Sequence, residues 1–200
     1  PPAGANPGPA MSGTTVAGLL LAAGAGRRFG RPKALVPFRG RTLLEHGVAL
    51  LAGGGCDPVY VVSGAAPLTC PGATVVDNPA WRDGMGSSLR AGISALPGEA
   101  DATVVALVDQ PLVGVEAVRR LIAAHRAGAR LAVAGYAGEP RNPVLLSREY
   151  WPRLLASARG DRGARAFLRA HPELVTLVEC GDTGSPADID TPEDLDSLSG

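Results

Sequence analysis

Residues 19–35 read LLLAAGAGRRFGRPKAL, an apolar run that passes into glycines and then into basic residues. The apolar half lacks in/out alternation and fits a β-strand buried on both faces. The glycine half fits a turn whose backbone amides can approach an anion, with Arg27, Arg28, Arg31 and Lys33 placing positive charge around it. Spacing decides which anion. Gly24, Gly26 and Gly30 form G-x-G-x-x-x-G, one residue longer than the dinucleotide fingerprint, and the second apolar run ends in Ser63-Gly64 where an acid should grip a ribose. The P-loop pattern is absent as well, since Lys33 follows Pro32 and has no hydroxyl residue beside it. What remains is an open glycine loop with side-chain cations at its flank.

Lys33 is the only lysine among 19 Lys and Arg residues. Arginine offers a planar fork and lysine a compact point charge, so the exchange is not neutral at a phosphate site. A stray surface lysine is the plain alternative. Its place beside the glycine loop argues for function.

Working outward, short apolar runs at 16–22, 58–63, 73–76, 103–108, 130–134, 143–146 and 174–178 read as strands, mostly without alternation. Between them, 42–52, 86–96, 115–127, 148–158, 163–171 and 192–198 have the spacing of amphipathic helices. Thr42 with Glu45 forms a capping box, and Thr191-Pro192-Glu193-Asp194 supplies an N-cap, a proline at the first helical position and acids in the first turn. The alternation predicts a three-layer α/β domain with a mainly parallel sheet.

At 200 residues the chain fits one domain that buries about 70% of its unfolded surface, expected over 16–200. Residues 1–15, rich in Pro, Gly and Ala, read as a disordered leader. The following apolar run has no Lys or Arg ahead of it and is far too short to span a bilayer, so a strand is a better account than a signal peptide or an anchor. A net charge of zero and 4% aromatics exclude the basic, stacking surface of a nucleic-acid binder. Cys56, Cys70 and Cys180 contain no C-x-x-C, which argues against a disulfide framework or structural zinc and points to a reducing, cytoplasmic setting.

A parallel sheet binds its ligand beyond the carboxyl ends of its strands. There the sequence places the glycine loop, Asp109-Gln110-Pro111, and Asp188-Ile189-Asp190-Thr191-Pro192. Aspartates in such positions can start turns or cap helices, yet Asp109 terminates a buried strand, which favours a metal role. Between Asp190 and Asp188 as its partner the sequence leaves a choice, with Asp190 preferred.

These motifs carry a resemblance. LLLAAGAGRRFGRPKAL, DNPAWRDGMGSSLRAG (77–92), LVDQPLV (107–113), PVLL (143–146), GDRGAR (160–165) and DIDTPEDL (188–195) recur in this order in the MobA-like and MocA-like NTP transferases, most closely in the cytidylyltransferase-like branch. The resemblance covers residues 16–198 and implies a Rossmann-like, GT-A-like nucleotidyltransferase fold that binds an NTP and Mg²⁺. It puts Ala22, Ala23, Gly24 and Gly26 around the nucleotide, Asn78, Gly84 and Ser88 in the nucleotide pocket, Arg28 and Lys33 on the triphosphate, and Asp109 with Asp190 on the metal.

The implied reaction moves CMP from CTP to the phosphate of molybdopterin and releases pyrophosphate. Two anions must then meet, so cations rather than a base are required, and the lack of a Ser-His-Asp or Cys-His set is expected. Arg162 and Arg165 are candidates to grip the acceptor phosphate, against the alternative of a simple turn into a helix. Arg141-Asn142-Pro143 departs from the glycine-histidine-proline common in related cytidylyltransferases and puts Arg141 on the acceptor side. Alanine at 23, where guanylyl-specific members commonly carry a second glycine, leans toward CTP over GTP. The resemblance also leaves open transfer to another small phosphorylated acceptor, a non-catalytic accessory that hands the cofactor to a molybdenum hydroxylase, or an oxidoreductase.

Overall fold

The computed structural model describes residues 13–199. The expected leader falls largely on residues 1–12, outside the described residues. Thr15 already belongs to the fold: its amide donates to an Asp101 carboxylate oxygen at 2.8 Å and its carbonyl accepts from the Asp101 amide at 2.8 Å.

The chain runs β1 (Val16–Leu21), β2 (Pro37–Phe38), β3 (Arg41–Thr42), α1 (Leu43–Gly53), β4 (Val59–Ser63), β5 (Thr74–Asp77), α2 (Met85–Ala95) and β6 (Ala102–Leu107). It continues through α3 (Val115–Arg126), β7 (Leu131–Tyr136), β8 (Glu139–Ser147), α4 (Trp151–Ser157), α5 (Ala164–Ala170), β9 (Val175–Glu179) and α6 (Pro192–Leu198). Seven strands form one sheet in the order β5-β4-β1-β6-β8-β7-β9. The pairings β1·β4, β1·β6, β4·β5 and β7·β9 are parallel, whereas β8 runs antiparallel to both β6 and β7. The fold is therefore three-layer α/β with a mainly parallel, mixed sheet.

Two hydrophobic clusters explain why the strands read as unbroken apolar runs. Leu20, Val61 and Val104 face α1 and α3, while Leu19, Val62 and Val105 face α2 and α4. Glycines set the spacing of the layers: a Cβ at Gly47 of α1 would lie 2.6 Å from the Leu20 side chain, and one at Gly92 of α2 would lie 2.6 Å from that of Leu19. Both helices thus pack against β1 at backbone range, and β1 is the axis of the molecule. From β1 the sheet extends to β4 on one side and β6 on the other, so the chain reverses its strand order at the point where ligands bind in open sheets.

Three local features depart from the sequence expectation. Residues 37–42 form the small β2–β3 hairpin through Arg39 (φ 46°) and Gly40 (φ 82°), a turn the expected strands did not include. β8 begins at Glu139 rather than 143, because Ala137 and Gly138 turn the chain straight back from β7 and the Glu179 carboxylate accepts both their amides at 3.0 and 3.1 Å. The helix expected over 148–158 starts as a 3-10 turn at Arg148–Tyr150 and becomes α4 only at Trp151. Pro152 has no N–H and is tolerated only in a first turn, which fixes the start of α4 there. Among the described residues no helix is long and apolar enough to cross a membrane.

Candidate active site

Leu21 of β1 lies beside Leu107 of β6, and the two strands release their chains side by side at the sheet's carboxyl edge. A cleft of about 610 Å³ opens there, lined by Ala22, Ala23, Gly24, Gly26, Arg28, Lys33, Gly84, Ser88, Asp109 and Asp190. Nearly every residue expected to hold the nucleotide or metal therefore faces one space.

Gly26 has φ +62°, and a Cβ there would collide with the Arg31 carbonyl oxygen and sit 3.1 Å from the Lys33 amide nitrogen. Its bare backbone lets the loop fold onto itself, which carries Lys33 back over the mouth of β1. Lys33 opens the 3-10 turn Lys33–Leu35, whose end is closed by the Val36 amide donating to the Lys33 carbonyl. The root of this side chain is thus held in a hydrogen-bonded turn. Its head group donates to Asp190 Oδ1 at 2.6 Å and to Asp109 Oδ2 at 3.2 Å.

The last loop brings Asp190 to this place. Ile189 is fully buried, and its amide donates to the Asp109 carbonyl at 2.8 Å. With Ile189 anchored, the flanking carboxylates diverge: Asp190 meets Lys33, and Asp188 accepts from the Gln110 side-chain amide at 2.8 Å. The α6 capping box assists, because the Asp194 carboxylate accepts the amides of Asp190 and Thr191, both at 2.9 Å. Capping and ion pairing thus coexist at Asp190, through its backbone and its side chain respectively.

The titration behaviour reflects this crowding. Burial is the main cause that pushes the Asp109 carboxyl above its ordinary range; Lys33 draws it back, and Asp188 and Asp190 add to the rise. For Lys33, burial acts to lower the pKa, but the bonds and charges of Asp190 and Asp109 outweigh it and hold the ammonium above its usual value. The Lys33 direction describes a cation clasped between two acids, whereas the Asp109 direction describes a carboxyl whose burial and acidic neighbours outweigh that cation.

Two carboxylates with one shared cation are a hard-oxygen donor pair, and Mg²⁺ or Mn²⁺ is commonly held by one or two such groups together with substrate phosphates. The Lys33 ammonium stands in this structure where positive charge is required, so the residues fit a divalent ion that arrives with a phosphate ligand. Among the described residues no cluster of three or more His, Cys, Asp or Glu offers a complete protein cage.

The opposite wall is the start of α2. Gly84, φ +100°, is its N-cap and has no capping side chain; Gly84, Met85 and Ser88 line the cleft, while the Gly86 amide donates to the Gly160 carbonyl at 2.8 Å. Asn78 does not line the cleft. It is buried behind it and donates to the Ser87 and Ser88 hydroxyls at 2.9 and 3.0 Å, so it orients Ser88, which does line the cleft.

A second cavity, about 850 Å³, adjoins the first and shares Leu21, Met85, Leu107, Asp109, Asp161 and Asp190 with it. Its walls are Leu89, Val105, Val133, Val144, Leu168 and Leu177, and Arg141, Arg165 and Arg169 also line it. Of the arginines expected on the acceptor side, Arg141 and Arg165 lie here, and Arg162 lines neither cavity. Sequence reasoning missed Asp161, Arg169 and Gln110. Asp161 and Gln110 adjoin residues already singled out, and Arg169 falls on the same face of α5 as Arg165, one helical turn on.

A family model described as the MobA-like NTP transferase domain matches residues 18–175. The chain is 43% identical over 194 residues to the nicotine blue oxidoreductase of Paenarthrobacter nicotinovorans, covering 90% of this chain and 94% of that protein. It is 33% identical over 172 residues to a molybdenum cofactor guanylyltransferase of Xanthomonas euvesicatoria pv. vesicatoria, covering 81% and 84% respectively. The manganese complex of Rv0371c from Mycobacterium tuberculosis superimposes with a TM-score of 0.73 at 28% identity, over 93% of this chain and 98% of that one. With a glycine loop, a lysine and two aspartates, one just past β6 and one from the loop before α6, converging on one cleft, and with this match over most of its length, the chain belongs to the MobA-like NTP transferase domain family.

Proposed function

We propose that this protein transfers CMP from CTP to the terminal phosphate of a molybdopterin-type acceptor and releases pyrophosphate. The observation that carries the proposal is the contact of Lys33 with Asp109 and Asp190, at 3.2 and 2.6 Å, at the floor of the glycine-loop cleft. Its amides and the start of α2 form a cradle for phosphates. Arg28 and Lys33 stabilise the negative charge that grows on the departing pyrophosphate. Asp109 and Asp190 would hold Mg²⁺, which when bound would supply the positive charge that offsets the phosphate oxygens.

The second cavity suits the acceptor. A flat ring system rests against Leu89, Val144 and Leu177, while Arg141 and Arg165 hold its phosphate. In the reaction an acceptor phosphate oxygen forms a bond to the α-phosphorus, the bond from that phosphorus to its bridging oxygen breaks, and pyrophosphate departs with the electron pair. The acceptor oxygen is already ionised near neutral pH, so no general base is needed. Pyrophosphate release measured with CTP and GTP in turn, with molybdopterin as acceptor, tests this. The expected result is turnover favouring CTP; a preference for GTP would reassign the base, and release with neither would remove the transferase reading.

A second reading has one observation in its favour, the 43% identity to a protein named nicotine blue oxidoreductase. An aromatic dye would fit the same apolar cavity. The glycine spacing departs from the dinucleotide fingerprint, which counts against a nicotinamide cofactor. Loss of nicotinamide absorbance with a quinonoid dye, in place of pyrophosphate release, would decide for this reading.

A further inference from the structure

We infer that Lys33 is a resident counter-ion that reserves the space between Asp109 and Asp190 and so makes divalent-cation binding conditional on the nucleotide. The inference rests on the reading of this cleft as the site of an NTP and a divalent ion.

The two carboxylates are brought together by the backbone, through the Ile189 amide on the Asp109 carbonyl. Two like charges held in one site repel unless a cation intervenes. Among the described residues Lys33 is the only basic group in ion-pair contact with either carboxylate. Two of its three N–H donors are committed to them, so in this state the ammonium has little left for a triphosphate.

The side chain is built for exchange. Its backbone is fixed by the 3-10 turn and by the close approach to Gly26, while four methylene groups let the head group swing. A triphosphate in the cleft offers the ammonium a denser negative partner, and its departure frees Asp109 and Asp190. Without nucleotide, a divalent ion must displace a tethered cation from both acids. With nucleotide, it finds them vacated. An arginine here would grip a carboxylate bidentately and exchange less readily, which accounts for a lysine in a chain whose other 18 basic residues are arginine.

Calorimetric titration with Mn²⁺ alone tests this, on the wild type and Lys33→Met, each with and without CTP. Lys33→Met should bind Mn²⁺ in the absence of nucleotide at least about ten-fold more tightly than the wild type, because two carboxylates lose their competing cation. Its gain on adding CTP should shrink accordingly. If Lys33→Met binds Mn²⁺ alone no better than the wild type, while CTP still promotes Mn²⁺ binding to the wild type, the counter-ion role falls and the nucleotide site stands. If neither protein binds Mn²⁺ with or without CTP, both readings fall. Should Lys33→Met not fold, Asp190→Asn compared with Lys33→Met/Asp190→Asn keeps the charge nearer balance. The double variant is expected to bind Mn²⁺ more tightly than the single one, and equal affinities overturn the inference.

Discussion

The two cavities meet at one sheet edge and are made of different materials. The glycine-loop cleft is walled by backbone and by charges that converge on Lys33, while its neighbour is walled by side chains such as Val133, Val144, Leu168 and Leu177. A backbone-walled site depends on where the chain is allowed to run, so single glycines matter and few side chains are free to change. In a side-chain-walled site any of several apolar residues offers similar surface, and selectivity falls to the arginines that line it. The shared wall, Asp109, Asp161 and Asp190 with Met85, is where the reacting groups would meet.

The sharpest test of that division is the Lys33–Asp109 contact, which joins a residue of the glycine-loop cleft to one of the shared wall. Lys33→Ala and Asp109→Asn should each lower kcat for pyrophosphate release by about 10²- to 10³-fold, the scale seen when one preorganised electrostatic group is lost. Steady-state kinetics with a check of folding by circular dichroism measures this. A rise in acceptor KM alone would move these residues to the wrong side of the boundary.

Gly26→Ala tests the backbone-walled side without touching a charge. The added methyl must occupy the Arg31 carbonyl's place at φ +62°, at a cost of about 1–3 kcal/mol. A fall in Tm of roughly 2–10 °C is expected, with kcat down by about 100-fold as Lys33 is displaced. Unchanged kcat would show that Lys33 reaches its place by another route.

On the other side, Arg141→Ala should raise the acceptor KM by about 10- to 100-fold, since it removes a charged hydrogen bond to phosphate, and leave the CTP KM nearly constant. Leu177→Asp should have a smaller effect, about ten-fold on the acceptor KM. Leu177 is 45% exposed, so the carboxylate is tolerated by the fold and disturbs only the apolar wall. A change in the CTP KM of similar size in either variant would mean that the two cavities act as one.

The same contrast governs what could be read from the sequence. The seven sheet strands and six helices were visible because burial on both faces leaves apolar runs and because Thr42 and Thr191 mark helix starts. Asp109 is legible because it follows β6 at the sheet's carboxyl edge, whereas Lys33 stands out as the one lysine beside the glycine loop and Asp190 through the DIDTPEDL stretch that the family resemblance carries. The direction of β8 was not, since a run such as PVLL is equally apolar whether its neighbours run with it or against it. The resemblance places Asn78 in the pocket lining, yet no local pattern separates a residue that touches a ligand from one that orients Ser88 behind it. The second cavity was hardest, because it is assembled from β6, β7, β8, β9, α2 and α5 and no short stretch contains it.

Arg162 shows the limit most clearly. In sequence it is the equal of Arg165, three residues on in the same GDRGAR stretch, and the two were expected to share the acceptor phosphate. In the fold the amide of Arg162 donates to the Arg159 carbonyl at 3.0 Å in a tight turn before α5, and only Arg165 lines the second cavity. The turn exists to carry the chain past the start of α2, where Gly160 accepts the Gly86 amide. Arg162→Ala should therefore change kcat and both KM values by no more than about two-fold, the range of a surface substitution away from any site. Arg165→Ala, measured beside it, should raise the acceptor KM well above that. If Arg162→Ala proves as damaging as Arg165→Ala, the loop 159–163 must rearrange when the acceptor binds, and the boundary between the two cavities would then be set by ligand rather than by fold.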